Sequence, residues 1–156
     1  MSLRSCDTPH MAYEHCPFCE ITPEDPRVVR VGEYTLTLLS DPRMTPGHTL
    51  VVPRAHIEAQ DTNIDEFIAA MAVEAERVKV RMLGARIMGG VFKGVDQWQK
   101  SRPYVPQGRI KVDHVHTHVL PSQEGEALYD EQLRWTPDQF SPLPADERDV
   151  FRKLLR

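Results

Sequence analysis

His114, His116 and His118 alternate with Val115, Thr117 and Val119, and the run closes on Leu120 and Pro121. Strand side chains point to opposite faces with period 2, so this spacing sets the imidazoles on one face and the packing residues on the other. With an unperturbed pKa of about 6.5, imidazole can act near neutral pH as nucleophile, hydrogen-bond donor or metal ligand. Neighbouring histidines in such a strand lie roughly 6–7 Å apart, and the outer pair about 13 Å apart. A single metal ion with bonds of about 2 Å could hold two neighbours but not the whole set.

Two further histidines flank the run Pro46-Gly47-His48-Thr49-Leu50-Val51-Val52-Pro53-Arg54-Ala55-His56-Ile57. Taken alone, His48 after a glycine reads equally well as a turn residue. Pro-Gly-His-x-Leu-Val-x-Pro-x-x-His upstream of His-x-His-x-His is a longer, ordered and more specific pattern. Upstream again, Cys16-Pro17-Phe18-Cys19 is a C-x-x-C, whereas Cys6 stands by itself. In a reducing compartment such a pair reads as metal-binding or redox-active rather than as a disulfide, with two buried free thiols as the plainer alternative. No βαβ context surrounds it, which disfavours thioredoxin-like chemistry.

The elements that must carry these residues are those of a small globular protein. A length of 156 residues suits one domain able to bury a core without staples. The net charge of −4 leaves no basic footprint, which counts against nucleic acid as the main partner but not against small phosphorylated ligands. No apolar run reaches bilayer length and Met1–His10 lacks a signal peptide's apolar core, so a cytoplasmic location without membrane contact is expected. Residues 1–14 read as a mobile leader and 15–156 as a single domain. Strands are expected over Val28–Val31, Tyr34–Leu39 and His48–Pro53. A long helix should run from Ile64 to near Gly84, N-capped by Asn63 with Glu66 completing a capping box, and with Phe67, Ile68, Met71, Val78 and Met82 inward. Arg86–Phe92 reads as a strand interrupted by Gly89-Gly90, Lys93–Gly108 as an irregular insertion, and Ile110–Leu120 as the histidine strand closed by Pro121. Glu126–Leu133 could form a short helical turn. Pro144–Leu155 reads as an amphipathic helix with Val150, Phe151, Leu154 and Leu155 inward. That order suggests an antiparallel α+β domain.

From Cys16 to Pro121, and more weakly in the terminal helix, the chain resembles the histidine triad (HIT) superfamily of nucleotidyl hydrolases and transferases, in its bacterial zinc-containing form. The resemblance implies a five-stranded antiparallel sheet with a long helix and a C-terminal helix, usually as a homodimer through the long helix and the neighbouring strand. It implies that His116 attacks the α-phosphate of a nucleoside phosphoramidate, dinucleoside polyphosphate or related nucleotide conjugate, giving a covalent nucleotidyl-histidine that water cleaves. His118 and His48 match positions that contact phosphate oxygens and assist the leaving group, and Ile21 and Leu38 match the region that packs the base. Cys16, Cys19, His56 and His114 match the ligands of a structural Zn²⁺, and no organic cofactor is implied. The departures are specific. Thr117 replaces a larger apolar residue, Arg109 and Ile110 occupy the usual Gly-Gln positions, and Gly89-Gly90 falls where asparagines are usual. Ser40 stands where an Asp would grip the ribose, with Asp41 one residue late. Arg109, Lys111, Arg102 or Gln107 could supply the missing donors. Two other readings remain: a nucleotide-binding protein with little turnover, and a hydrolase holding a catalytic metal on the histidine face.

Overall fold

Every residue of β2 (Thr35–Leu39) and β3 (Thr49–Pro53) is buried, which is why these strands read as nearly continuous apolar runs. The computed structural model describes residues 16–59, 61–99, 111–123 and 139–156. Its sheet adds β1 (Val28–Val31), β4 (Arg86–Ile87), β5 (Gly90–Trp98) and β6 (Thr117–Gln123) in the order β1-β2-β3-β6-β5-β4. All neighbouring strands are antiparallel. Helices α1 (Asp65–Met82) and α2 (Ala145–Leu155) complete the described α+β architecture. Among the described residues no helix is long and apolar enough to cross a membrane.

The sheet is used on both faces. Leu39, Val51, Val119 and Phe92 turn towards α1 and α2, where Phe67, Met71, Ala75, Val78, Met82, Phe151 and Leu155 complete the main core. Leu36, Leu38, Leu50 and Val52, alternating with them, join Val28 in a second cluster beneath Phe18 and Ile21. Period-2 alternation thus builds one face for stability and one to floor a site.

Several expectations shift. Among the described residues the sheet has six strands rather than five, because Gly89-Gly90 does not interrupt a strand but turns a hairpin. Met88 and Gly89 take φ of 51° and 79°, and Ile87 pairs with Gly90, the two positive φ values that a tight hairpin turn demands. The first part of the expected insertion, through Trp98, is therefore the long strand β5. Beyond it, Arg102, Gln107, Arg109 and Ile110 lie outside the described residues, as do the leader and Glu126–Leu133. The histidine strand starts later and runs further than expected. Regular pairing begins at Thr117 and continues through Pro121, whose neighbour is Val95. Pro53 ends β3, so the chain before Thr117 loses its ladder partner and Val115 N–H bonds instead to the Ile57 carbonyl at 2.7 Å.

The helices differ in detail. Asn63 adopts φ 61° and Ile64 becomes the N-cap with no side-chain cap bond, so the capping box does not form. Ile68 is 39% exposed and Val150 38%, whereas Glu74 and Glu147, both charged, face inward. Glu74 accepts from Thr37 Oγ1 at 2.8 Å and from Arg77 at 2.7 and 2.9 Å, tying α1 to β2. Burial works to raise its carboxyl, but the bonds from Arg77 and Thr37 and the charges of Arg77 and Arg30 outweigh it and hold it below its ordinary value. A depressed folded-state value contributes stability above the unfolded value of 4.5 and loses it as pH falls through the folded one. Glu74→Ala is expected to cost about 3 kcal/mol in urea unfolding at neutral pH and less at acid pH, because it strands the groups it pairs with. A pH-independent loss below about 0.5 kcal/mol would mean that the network is solvated and contributes little.

Candidate functional site

The turn at Cys16–Glu20 is closed by Cys19 N–H to the Cys16 carbonyl at 3.0 Å, which aims both sulfurs the same way. They meet His56, just beyond β3, and His114, just before β6. The four ligand atoms lie within 4.8 Å of one another. Cys16 Sγ is 3.4 Å from His114 Nδ1, and Cys19 Sγ is 3.2 Å from His56 Nδ1 and 3.7 Å from His114 Nδ1. Bonds of about 2.0–2.3 Å to a tetrahedral ion give ligand–ligand edges of roughly 3.3–3.8 Å, so the spacing fits. The tautomer fits too. His114 Nε2–H donates to the Pro53 carbonyl at 3.0 Å, which leaves the Nδ1 lone pair facing the thiols. A Glu58 carboxylate oxygen lies 3.6 Å from His56 Nε2, on the side away from the sulfurs. The Cys16 thiol is pushed up by its hydrogen bond with Cys19 and by burial, against the pull of His114 and His56. Two adjacent thiolates would need a dication to offset their mutual repulsion.

The same short stretch carries the next histidine. His116 Nδ1–H donates to the His114 carbonyl at 2.7 Å, so its proton is fixed on Nδ1 and Nε2 keeps its lone pair. Burial lowers its pKa, with the His114 bond opposing, so the ring is neutral at neutral pH. Behind it lies a directional chain. Met44 N–H donates to His48 Nδ1 at 3.2 Å, which puts the His48 proton on Nε2. That proton faces His118 Nδ1 at 2.9 Å, so His118 accepts there and carries its own proton on Nε2. His48 is fully enclosed, and burial, with His116 and Arg43 adding, drops its pKa to about 3. The rings of His116 and His118 lie 4.8 Å apart, edge to face.

A cleft opens on this face. It is lined by Pro17, Phe18, Ile21, Arg27, Ser40, Asp41, Pro42, Leu50, Val112, His116, His118 and Phe140. Phe18, between the two cysteines, packs edge-on against two imidazoles, its ring centroid 5.8 Å from that of His114 and 5.0 Å from that of His116. The cleft therefore has an apolar wall, a polar end at Ser40 and Asp41, and two imidazoles on its floor.

A family profile described as HIT domain matches residues 23–125, about two thirds of the sequence. The chain belongs to the HIT domain family. It is 33% identical over 117 residues to an uncharacterized HIT-like protein of Methanocaldococcus jannaschii, covering 71% of this chain and 81% of that one. It is 30% identical over 110 residues to the protein named hit of Bacillus subtilis, covering 69% and 71%. Among solved structures, a Zn-bound histidine triad family protein of Mycobacterium smegmatis superposes with a TM-score of 0.61 at 24% identity, covering 82% of each chain. A HIT family hydrolase of Legionella pneumophila gives 0.53 at 21% identity, covering 79% of this chain and 99% of that one. At these identities the structures speak for the fold.

In this HIT domain the expected residues fall into two adjoining groups. Cys16, Cys19, His56 and His114 converge in one, and His48, His116 and His118 in the other. Ile21 and Ser40 reach the cleft, but Ser40 Oγ–H is turned to the Pro42 carbonyl of its own loop at 2.7 Å. Leu38 lies fully buried in the cluster beneath, supporting the wall. Arg109 lies outside the described residues. Lys111 pairs with Asp113. Gly89-Gly90 sits at the far hairpin. The strand end beside the triad is Trp98, which pairs with His118 and whose ring centroid is 6.1 Å from that imidazole. Phe18, Arg27, Leu50, Val112 and Phe140 also line the cleft, and the motifs of the sequence do not mark them. For Phe18 a signal is present, since a residue inside the C-x-x-C is carried to wherever His56 and His114 meet the two cysteines. Phe140 offers none.

Proposed function

We propose that this HIT domain is a nucleotidyl hydrolase or transferase that works through a covalent nucleotidyl-histidine at His116. The observation that carries this reading is the 2.7 Å bond from His116 Nδ1–H to the His114 carbonyl, which leaves a neutral Nε2 lone pair at the floor of the cleft. Nε2 attacks the α-phosphorus of a nucleoside phosphoramidate, dinucleoside polyphosphate or related conjugate. The phosphorus–nitrogen bond forms as the bond to the leaving group breaks, and water then displaces the nucleotide from His116. His118 Nε2–H stabilises charge on the phosphate oxygens or the leaving atom, and His48 fixes the tautomer that makes this possible. Phe18, Ile21 and Leu50 would take the nucleoside base. The histidine face is poorly suited to a catalytic metal, because both His48 nitrogens, His116 Nδ1 and His118 Nδ1 are committed to hydrogen bonds.

Cys16, Cys19, His56 and His114 would hold a structural Zn²⁺, joining the cleft wall to the chain beside His116. Ile68, Val73 and Val80, 39%, 72% and 62% exposed along α1, suit a homodimer in a cytoplasmic protein. Sedimentation showing only monomer would remove the dimer from this reading. The experiment for the function is a mass-resolved screen of nucleotidyl substrates with rapid acid quench. Products together with a nucleotide adduct mapped to His116 are expected, and products formed without any adduct at steady state or burst would overturn the covalent step. A second reading, nucleotide binding with little turnover, is favoured by one observation: the Ser40 hydroxyl donates to its own loop rather than towards a ribose. Calorimetric binding of mononucleotides with no product from any conjugate would select it.

A further inference from the structure

Glu147 is charged, belongs to the helix furthest along the chain, and is 0% exposed. Enclosing a carboxyl group carries a desolvation cost that an apolar residue at the same helical position would not carry. Its two oxygens reach both flanks of the loop that delivers His48. Oε1 accepts the Gly47 N–H at 3.2 Å, and Oε2 accepts Arg43 Nε–H at 2.7 Å. Arg43 is held again by Nη1–H, which donates to Ser141 Oγ at 2.8 Å, and by a two-way backbone bridge to Ser141, each bond 2.8 Å. Met44, the next residue, gives the N–H that sets the His48 tautomer. Gly47, on the other flank, takes φ 81° and lies so close to α2 that a Cβ would stand 2.4 Å from Phe151 Cε1. His48 therefore hangs between two residues that one buried carboxylate holds.

We propose that Glu147 is a positioning residue for His48, aligning the Met44–His48–His118 hydrogen-bond chain from the C-terminal helix. This inference rests on the reading that His48 and His118 serve a phosphate. Through Arg43 it fixes the Met44 amide against His48 Nδ1, and through Gly47 it fixes the backbone from which the imidazole projects. A displacement of about 1 Å in such a group can cost about 100-fold in rate.

The test compares Glu147→Gln and Glu147→Ala with His48→Ala and with each double variant, using a nucleoside phosphoramidate and matching thermal melts. Glu147→Gln keeps an acceptor for Gly47 and is the variant expected to stay folded. Its kcat should fall about 10-fold with KM within about twofold, and Glu147→Ala should fall about 100-fold. In the His48→Ala background neither change should cost more than about twofold, since the group that Glu147 positions is already gone. Losses that multiply in the double variants, or an unchanged kcat in folded Glu147→Ala, overturn the proposal and leave Glu147 as a helix-docking residue. A second arm needs no turnover: long-range ¹H–¹⁵N spectra of the histidines. Glu147→Gln should shift the His48 Nε2–H resonance facing His118, and an unmoved resonance overturns the inference. If the parent protein turns over no phosphoramidate, the nucleotidyl reading fails while this second arm still decides the role of Glu147.

Discussion

His116→Asn is expected to lower turnover of a nucleotidyl substrate by at least about 10³–10⁴-fold and to abolish the covalent adduct, because removal of a nucleophile that acts with its partners costs nearly the whole chemical acceleration. Asparagine can keep the bond that Nδ1–H gives to the His114 carbonyl but ends short of Nε2, so the cleft should keep its shape while the attacking lone pair disappears. Among the described residues no neighbouring imidazole can replace it. His48 is fully buried with both nitrogens engaged, and His118 spends its Nδ1 lone pair on the His48 N–H. Substrate affinity should change little, since the apolar wall and the His118 donor remain. Stopped-flow turnover with intact-mass spectra of quenched samples measures both effects. A variant that turns over at the parental rate would remove His116 from the chemistry.

Stripping metal from the four-ligand cluster should lower the melting temperature by roughly 10 °C or more, with Cys16→Ser reproducing the loss. Zn²⁺ binding in small domains is worth about 10–16 kcal/mol at neutral pH, and recovering even a few kcal/mol of it shifts a domain of this size by roughly 2–4 °C per kcal/mol. The ligands come from three places in the chain: the 16–19 turn, the segment after β3 and the segment before β6. Removing the ion would loosen all three at once. Phe18 would lose its seat against His114 and His116, so activity should fall alongside stability and return when Zn²⁺ is restored. Calorimetric melts before and after chelation, with elemental analysis of the purified protein, check this. A melting temperature indifferent to chelation would leave the cluster as a set of buried, hydrogen-bonded thiols and imidazoles.

Much of this architecture could be read from residue patterns, and the misses share a cause. β1, β2 and β3 lie within a residue of their expected bounds, because β2 and β3 are buried on both faces and all three strands are short. The convergence of Cys16, Cys19, His56 and His114 was legible because its members sit in ordered motifs. What local pattern could not show was which strand lies beside which. Gly89-Gly90 counted as a break when it was a turn, and that hid β5 and the pairing of Trp98 with His118. Strict alternation of the histidines also suggested one continuous strand. Pro53 ends the neighbouring strand early, so His114 and His116 leave the ladder and bond through Val115 and the His114 carbonyl instead. The inward turn of Glu74 and Glu147 is hidden for the converse reason: helical periodicity puts charge outside unless a partner across the core is known, and theirs are Thr37 and Arg43.

Phe18 and its flanking cysteines impose an order on the birth of the molecule. Cys16 lies 98 residues from His114, so the ribosome must add nearly a hundred residues before the turn can find its full complement of partners. At about 5–20 residues per second, that interval is roughly 5–20 s, during which two neighbouring thiols and an unseated aromatic ring are open to oxidants, stray metals and chaperones. The cleft wall is thus made well before it can be closed.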